Sequence, residues 1–224
     1  DVAVTGVQTC ALPISGAEPA FSARWFELSL LAILFHDTGY LKRREDREGT
    51  GAKYTAIHVN RSAEFAAQFL GPQGYSGPDI AAIQNMIRCT GVNTDLARIP
   101  FQSESERIAG LVLATADLLG QMAAPDYVEK LGLLYAEFAE AARFDPEHCA
   151  RFAIYRGAED LIRQTPGFWE KYVWPRLNSE YEKLYQFLND PYPDGPNAYL
   201  IQIEANLARI ARQIEQMPDR PPAG

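Results

Sequence analysis

Residues 33–41 read ILFHDTGYL, which sets His36 and Asp37 side by side at the end of an apolar run. Burial penalises any charge that lacks a partner, so the pair needs compensation. A second acid poses the same problem. Asp117, in IAGLVLATADLLGQMAAP, is the one charged residue between Arg107 and Asp126. A carboxylate left unpaired among apolar neighbours costs several kcal/mol, and the remedies are a cationic side chain from another element or a metal ion. Asp37 is expected in the last turn of its helix, where backbone carbonyls already create negative potential, so a cation there would relieve two penalties together. His36 offers an imidazole nitrogen, and mixed imidazole and carboxylate donors suit divalent ions such as Mn, Fe, Co or Zn. Adjacent helical residues diverge by about 100°, so helix geometry alone leaves open whether both side chains reach one ion.

The elements that must position these residues read as helices throughout. Between Phe21 and Leu41, residues Trp25, Leu28, Leu31, Ala32 and Phe35 recur at intervals of three and four, predicting a helix that stops at Gly39. After the polar loop KRREDREGTGAK, the run AIHVNRSAEFAAQFL places His58, Ser62, Phe65 and Phe69 on one helical face, so His58 should point inward. GYSGPDIAAIQNMIRCTG predicts a turn and a helix with Pro78 at its start and Ile80, Ile83 and Ile87 inward. Ser103 and Glu106 are spaced as a capping box for the helix that carries Asp117, and a further amphipathic helix begins at Tyr127. Beyond Phe144 three more segments are helical in pattern, with Thr165 and Pro166 suited to a cap and a first helical position. No alternating strand pattern occurs, which predicts an all-α fold. In the last helix Leu200, Ile203, Leu207, Ile210, Ile214 and Met217 form a stripe that could pair with a second chain as a homodimer, docking on the body being the more ordinary outcome.

The chain of 224 residues carries 29 acidic against 21 basic side chains, a formal charge of −8. That balance argues against nucleic acid or an anionic membrane as the main partner and favours a small-molecule substrate. No apolar run reaches membrane-spanning length without interruption. Three cysteines, Cys10, Cys89 and Cys149, lack framework spacing, which suits a reducing compartment and makes the cytoplasm the default. The opening fifteen residues have neither helical nor strand periodicity, and Val4 to Ile14 resembles the conceptual translation of a short-read sequencing adapter. Residues 1–15 are therefore expected to be a non-native leader, and 218–224 a disordered tail.

FHDTGY, the helical His58 and, some eighty residues after the doublet, ATADLLGQM together resemble the HD-domain superfamily of metal-dependent phosphohydrolases, over roughly Ser22 to Ala142. The resemblance implies an HD-domain-like helical bundle at 16–145, a C-terminal helical extension at 146–217 packed on it, and a divalent ion (Mn, Fe, Co, Mg or Zn). It assigns His36, Asp37 and Asp117 as metal ligands, with Asp37 or Asp117 also orienting the attacking water. The activity implied is hydrolysis of a phosphoester, of the nucleotide or cyclic-nucleotide type. The family's first histidine precedes the doublet, and this chain has only His36, His58 and His148. A three-ligand remnant with impaired activity is the resulting expectation.

Each residue also has a plainer reading. His36 and Asp37 could be a hydrogen-bonded helix cap, with Asp117 bonded to backbone or to another helix. His58 could be a satisfied core histidine instead of a catalytic, metal or phosphate-binding one. Lys42 and Arg43, with Arg44 and Arg47, could meet a substrate phosphate or self-pair with Glu45, Asp46 and Glu48. His148 is expected to be structural or exposed. The rival function is a non-catalytic HD-fold sensor or scaffold.

Overall fold

A computed structural model describes residues 22–218, Asn93 excepted; the leader at 1–15 and the tail beyond Pro218 lie outside the described residues. The fold is all-α. Among the described residues eight α-helices follow one another, joined by turns and short 3-10 segments: α1 (Ala23–Phe35), α2 (His58–Leu70), α3 (Gly77–Cys89), α4 (Glu104–Met122), α5 (Tyr127–Phe144), α6 (Ala158–Phe168), α7 (Trp174–Asn178) and α8 (Ala198–Gln216). No single helix among them is long and apolar enough to cross a membrane.

Side-chain caps set several helix starts. Ser22 accepts from the Trp25 amide, Asn197 accepts from the Leu200 amide, and Ser76 with Asp79 makes a reciprocal capping box on α3. Ser103 caps α4 as its spacing predicts, but Glu106 does not close the box. Its carboxylate is buried and accepts instead from Asn85 and the Gln102 amide, tying α4 to α3 and to the preceding loop.

Two apolar clusters share α4. One joins α1, α2, α3 and the first half of α4 through Leu28, Ala32, Ala63, Ala66, Ile83, Met86, Ala109 and Leu113. The other gathers Leu111, Ala114, Leu119 and Met122 of α4 with α5 and the C-terminal elements, including Leu177, Ile203 and Ile210. Asp117 therefore sits on the helix common to both clusters. The apolar stripe of α8 docks on this second cluster, with Leu200, Leu207, Ile214 and Met217 packed around the buried Ile203 and Ile210.

The structure departs from the sequence reading at three further places. The first helix ends at Phe35, not Gly39; His36 is its C-cap, and residues 38–40 turn into a 3-10 segment. The cause is Gly39: a Cβ there would lie 1.9 Å from the His58 carbonyl oxygen, so this stretch runs flat against α2 instead of continuing a helix. On α2 the buried side chains are Ser62, Ala63, Ala66 and Leu70. Phe65 and Phe69 stay 39% and 52% exposed and group with Phe35. Small residues let α2 approach α3 closely, and that contact, more than the aromatic stripe, sets the helix's rotation. Near the C-terminus Pro166 lies inside α6, and a π-helical turn (Trp169–Val173) carries the chain on into α7. Thr165 is no cap, since its hydroxyl bonds back to the Leu161 carbonyl within the helix.

Candidate functional site

Folding brings His36, Asp37, His58 and Asp117 together from three parts of the chain. His36 Nε2 lies 3.3 Å from Asp37 Oδ2 and 3.6 Å from Asp117 Oδ1, and His58 Nε2 lies 3.9 Å from Asp37 Oδ1. Both imidazoles are mostly buried, whereas the Asp37 side chain is 59% exposed and that of Asp117 32%, so the cluster opens to solvent on its carboxylate side.

Backbone carbonyls orient both rings. His36 Nδ1 is 2.7 Å from the Ile33 carbonyl and His58 Nδ1 is 2.8 Å from that of Thr55. A carbonyl can only accept, so each Nδ1 carries the proton and each Nε2 turns toward the acids. For His58 the consequence is definite. Burial, the largest influence, lowers its pKa despite the opposing Thr55 carbonyl and Asp37 and Asp117 charges, so the ring is neutral at pH 7. Its Nε2 lone pair then faces a carboxylate oxygen, an acceptor against an acceptor, and only a proton donor or a cation between them makes the arrangement favourable.

His36 resolves the same conflict differently. Burial works against its charge, but the Asp117 carboxylate and the charge of Asp37 together outweigh it and push the imidazole up to about 9. At neutral pH the metal-free cluster holds an imidazolium between two carboxylates. A divalent cation would answer the same electrostatic demand by displacing that proton. The donor types therefore fit a metal ion, while among the described residues no three His, Cys, Asp or Glu groups are arranged ready to hold one.

The residues that position the cluster are mostly ones the sequence reading passed over. Tyr40 stacks on the His58 ring at 4.3 Å between centroids and 17° between planes. Its own hydroxyl is pushed up to about 12, chiefly by burial. Ser62 Oγ accepts from the Gly39 amide at 2.8 Å, and Arg61 donates to the carbonyls of Gly39 and Leu41, so one turn of α2 fastens the segment after the doublet. The Arg61 guanidinium also lies 3.6 Å above the Tyr54 ring. The adjacent loop is anchored on α5 by Glu140, which accepts from Thr50, and on itself by Asp46, which accepts from Lys53 and Tyr54. Gly39 inside FHDTGY was the available signal, because only a glycine permits this approach to α2.

The other sequence candidates are placed elsewhere. Lys42 donates to the Gly49 carbonyl within its own loop, and Arg43 is exposed. His148 is exposed and bonded to Asp145. A shallow cavity of about 430 Å3 lined by residues such as Leu96, Phe101, Arg107 and Glu180 shares none of the cluster's residues.

A family model described as Npun_R2479-like matches residues 44–189, well over half of the chain. The chain belongs to this family. The span matched by the Npun_R2479-like model includes His58 and Asp117, with His36 and Asp37 just ahead of it. No curated protein and no solved structure matches the chain.

Proposed function

We propose that this protein is a metal-dependent phosphohydrolase of the HD-domain type, acting on a phosphoester of the nucleotide or cyclic-nucleotide class. The observation that carries the proposal is the convergence of His36 Nε2 on Asp37 and Asp117, with His58 Nε2 facing the same carboxylate. His36, Asp37 and Asp117 would hold the ion, which would supply Lewis-acid activation of water and of a phosphoryl oxygen. The remaining work falls to the chain's own groups. The exposed edge of Asp37 orients a water at the mouth of the cluster. His58, neutral and clamped by Tyr40 and the Thr55 carbonyl, offers Nε2 as a proton acceptor beside it. Lys42 and Arg43, on the loop that follows, would have to turn toward the cluster to meet phosphate.

One observation favours a second reading. His36 as an imidazolium already faces both acids and neutralises one of their two charges without metal, which suits a non-catalytic HD-fold sensor or scaffold. Titrating EDTA-stripped protein with Mn2+ and then assaying bis-p-nitrophenyl phosphate and a nucleotide panel separates the two. The hydrolase reading expects Mn2+ binding and at most weak Mn2+-dependent turnover, both abolished by Asp117→Ala while helical content persists. Absence of Mn2+ binding together with absence of turnover in the wild-type chain supports the second reading, and Mn2+ binding or turnover unchanged in Asp117→Ala overturns the assignment of the site.

A further inference from the structure

Arg151, in the turn between α5 and α6, presents a conflict unrelated to the histidine cluster. Its Nε and Nη1 are shielded from solvent and have no hydrogen-bond partner, the only side-chain atoms so recorded among the described residues. Native proteins rarely leave such donors unpaired, and a guanidinium cannot escape by losing its proton. The surroundings are aromatic. The guanidinium carbon lies 4.6 Å from the centre of the Phe152 ring, which itself stacks on Phe138 at 4.2 Å. The Arg151 charge also reaches the Tyr155 and Tyr172 hydroxyls and the Cys149 thiol, in each case opposing the burial that raises their pKa.

A second cation adds to this field. Arg176 is buried and donates to Tyr172, to the Val92 and Thr94 carbonyls and to Glu180. Glu180 offsets Arg176, whereas Arg151 makes no ion pair among the described residues. Asp145 and Glu180 also act on Cys149 and Tyr172, so what sets Arg151 apart is the missing partner of its guanidinium beside the Phe152 ring. Arg151 as a whole is only partly buried, although its Nε and Nη1 are shielded.

We infer that Arg151 is the anchor of an oxyanion-binding site, taking a phosphate or carboxylate group beside the Phe152 ring. An anion there would give the guanidinium the charge-assisted hydrogen bonds it lacks. The site stands apart from the His36, Asp37 and Asp117 cluster and does not depend on how that cluster is read.

The test is thermal unfolding of EDTA-treated protein in a series of inorganic phosphate concentrations at constant pH and ionic strength, with chloride as the balancing salt. The wild-type midpoint should rise saturably, by roughly 5 °C or more at a hundredfold excess over Kd. Arg151→Met removes the charge and keeps the apolar stem. It should unfold no earlier than wild type without phosphate and lose the phosphate response. Arg151→Lys, which keeps charge but not the planar fork, should respond at least about tenfold more weakly in phosphate concentration. An absent wild-type response, or an equal one in Arg151→Lys and Arg151→Met, overturns the inference. If Arg151→Met does not fold, the comparison with Arg151→Lys decides.

Discussion

His36 and Asp117, eighty-one residues apart in the chain, face each other at 3.6 Å between the end of α1 and the interior of α4. The contact exists because α1 and α4 pack against each other through Leu28, Ala32, Ala109 and Leu113, and because α1 ends at Phe35 in time for His36 to turn inward. The Asp117 carboxylate helps keep a mostly buried imidazole charged at neutral pH.

That role can be read directly. Asp117→Asn removes a charge and little volume, leaving burial with less opposition. The His36 pKa, followed by NMR titration of the metal-free protein, should fall by at least about one unit from its value near 9. An unchanged titration would mean that Asp37 alone sustains the imidazolium.

The same shift fixes a pH dependence of stability. The folded pKa of His36 lies above its ordinary 6.5. Its contribution is therefore fully present below pH 6.5 and is lost as pH rises through about 9. The amount is on the order of 3 kcal/mol. Urea midpoints measured in EDTA across that window should decline more steeply for wild type than for His36→Gln. Parallel profiles would contradict the assignment.

Two glycines make a matched pair. Gly39→Ala forces a methyl into the His58 carbonyl and should destabilise by about 3 kcal/mol or more. Gly132→Ala, inside α5 where a Cβ meets nothing within 4 Å, should stabilise by roughly 0.5 kcal/mol. Chemical denaturation of both variants checks the order.

Tyr40 positions His58 by its ring, not its hydroxyl. Tyr40→Phe should leave the His58 Nδ1–H tautomer intact by 15N NMR, and Tyr40→Leu should broaden or mix the tautomers. Mixing in both variants would assign the effect to the hydroxyl instead.

Much of this was legible from residue spacing, and the exceptions have physical causes. The 3.6-residue periodicity exposed the all-α class and the buried faces of α3 and α8, because those faces are long and apolar. The types and separation of His36, Asp37 and Asp117 announced a charge problem, and their meeting is how the fold answers it. The end of α1 was misplaced because a tertiary contact, Gly39 against the His58 carbonyl, decides it. The face of α2 was misread because Ala63 and Ala66 govern packing density while the larger Phe65 and Phe69 dominate any hydrophobic count. Local chemistry favours Pro166 at a helix start, whereas the chain carries it within α6 and on into a π-helical turn. Tyr40 and Arg61 carry no such signal, and Ser62 shows only as part of a helical face, because positioning residues have no chemistry of their own to advertise.

The central claim is that a proton and a divalent ion compete for the space bounded by His36, Asp37 and Asp117. Calorimetric titration of the EDTA-stripped chain with Mn2+ at about pH 7.5, repeated in buffers of different ionisation enthalpy, counts the protons released per ion bound. Saturable binding with release of about one proton, abolished by Asp117→Asn, is the expected result. Absence of binding, or binding that releases no proton and survives Asp117→Asn, would contradict it.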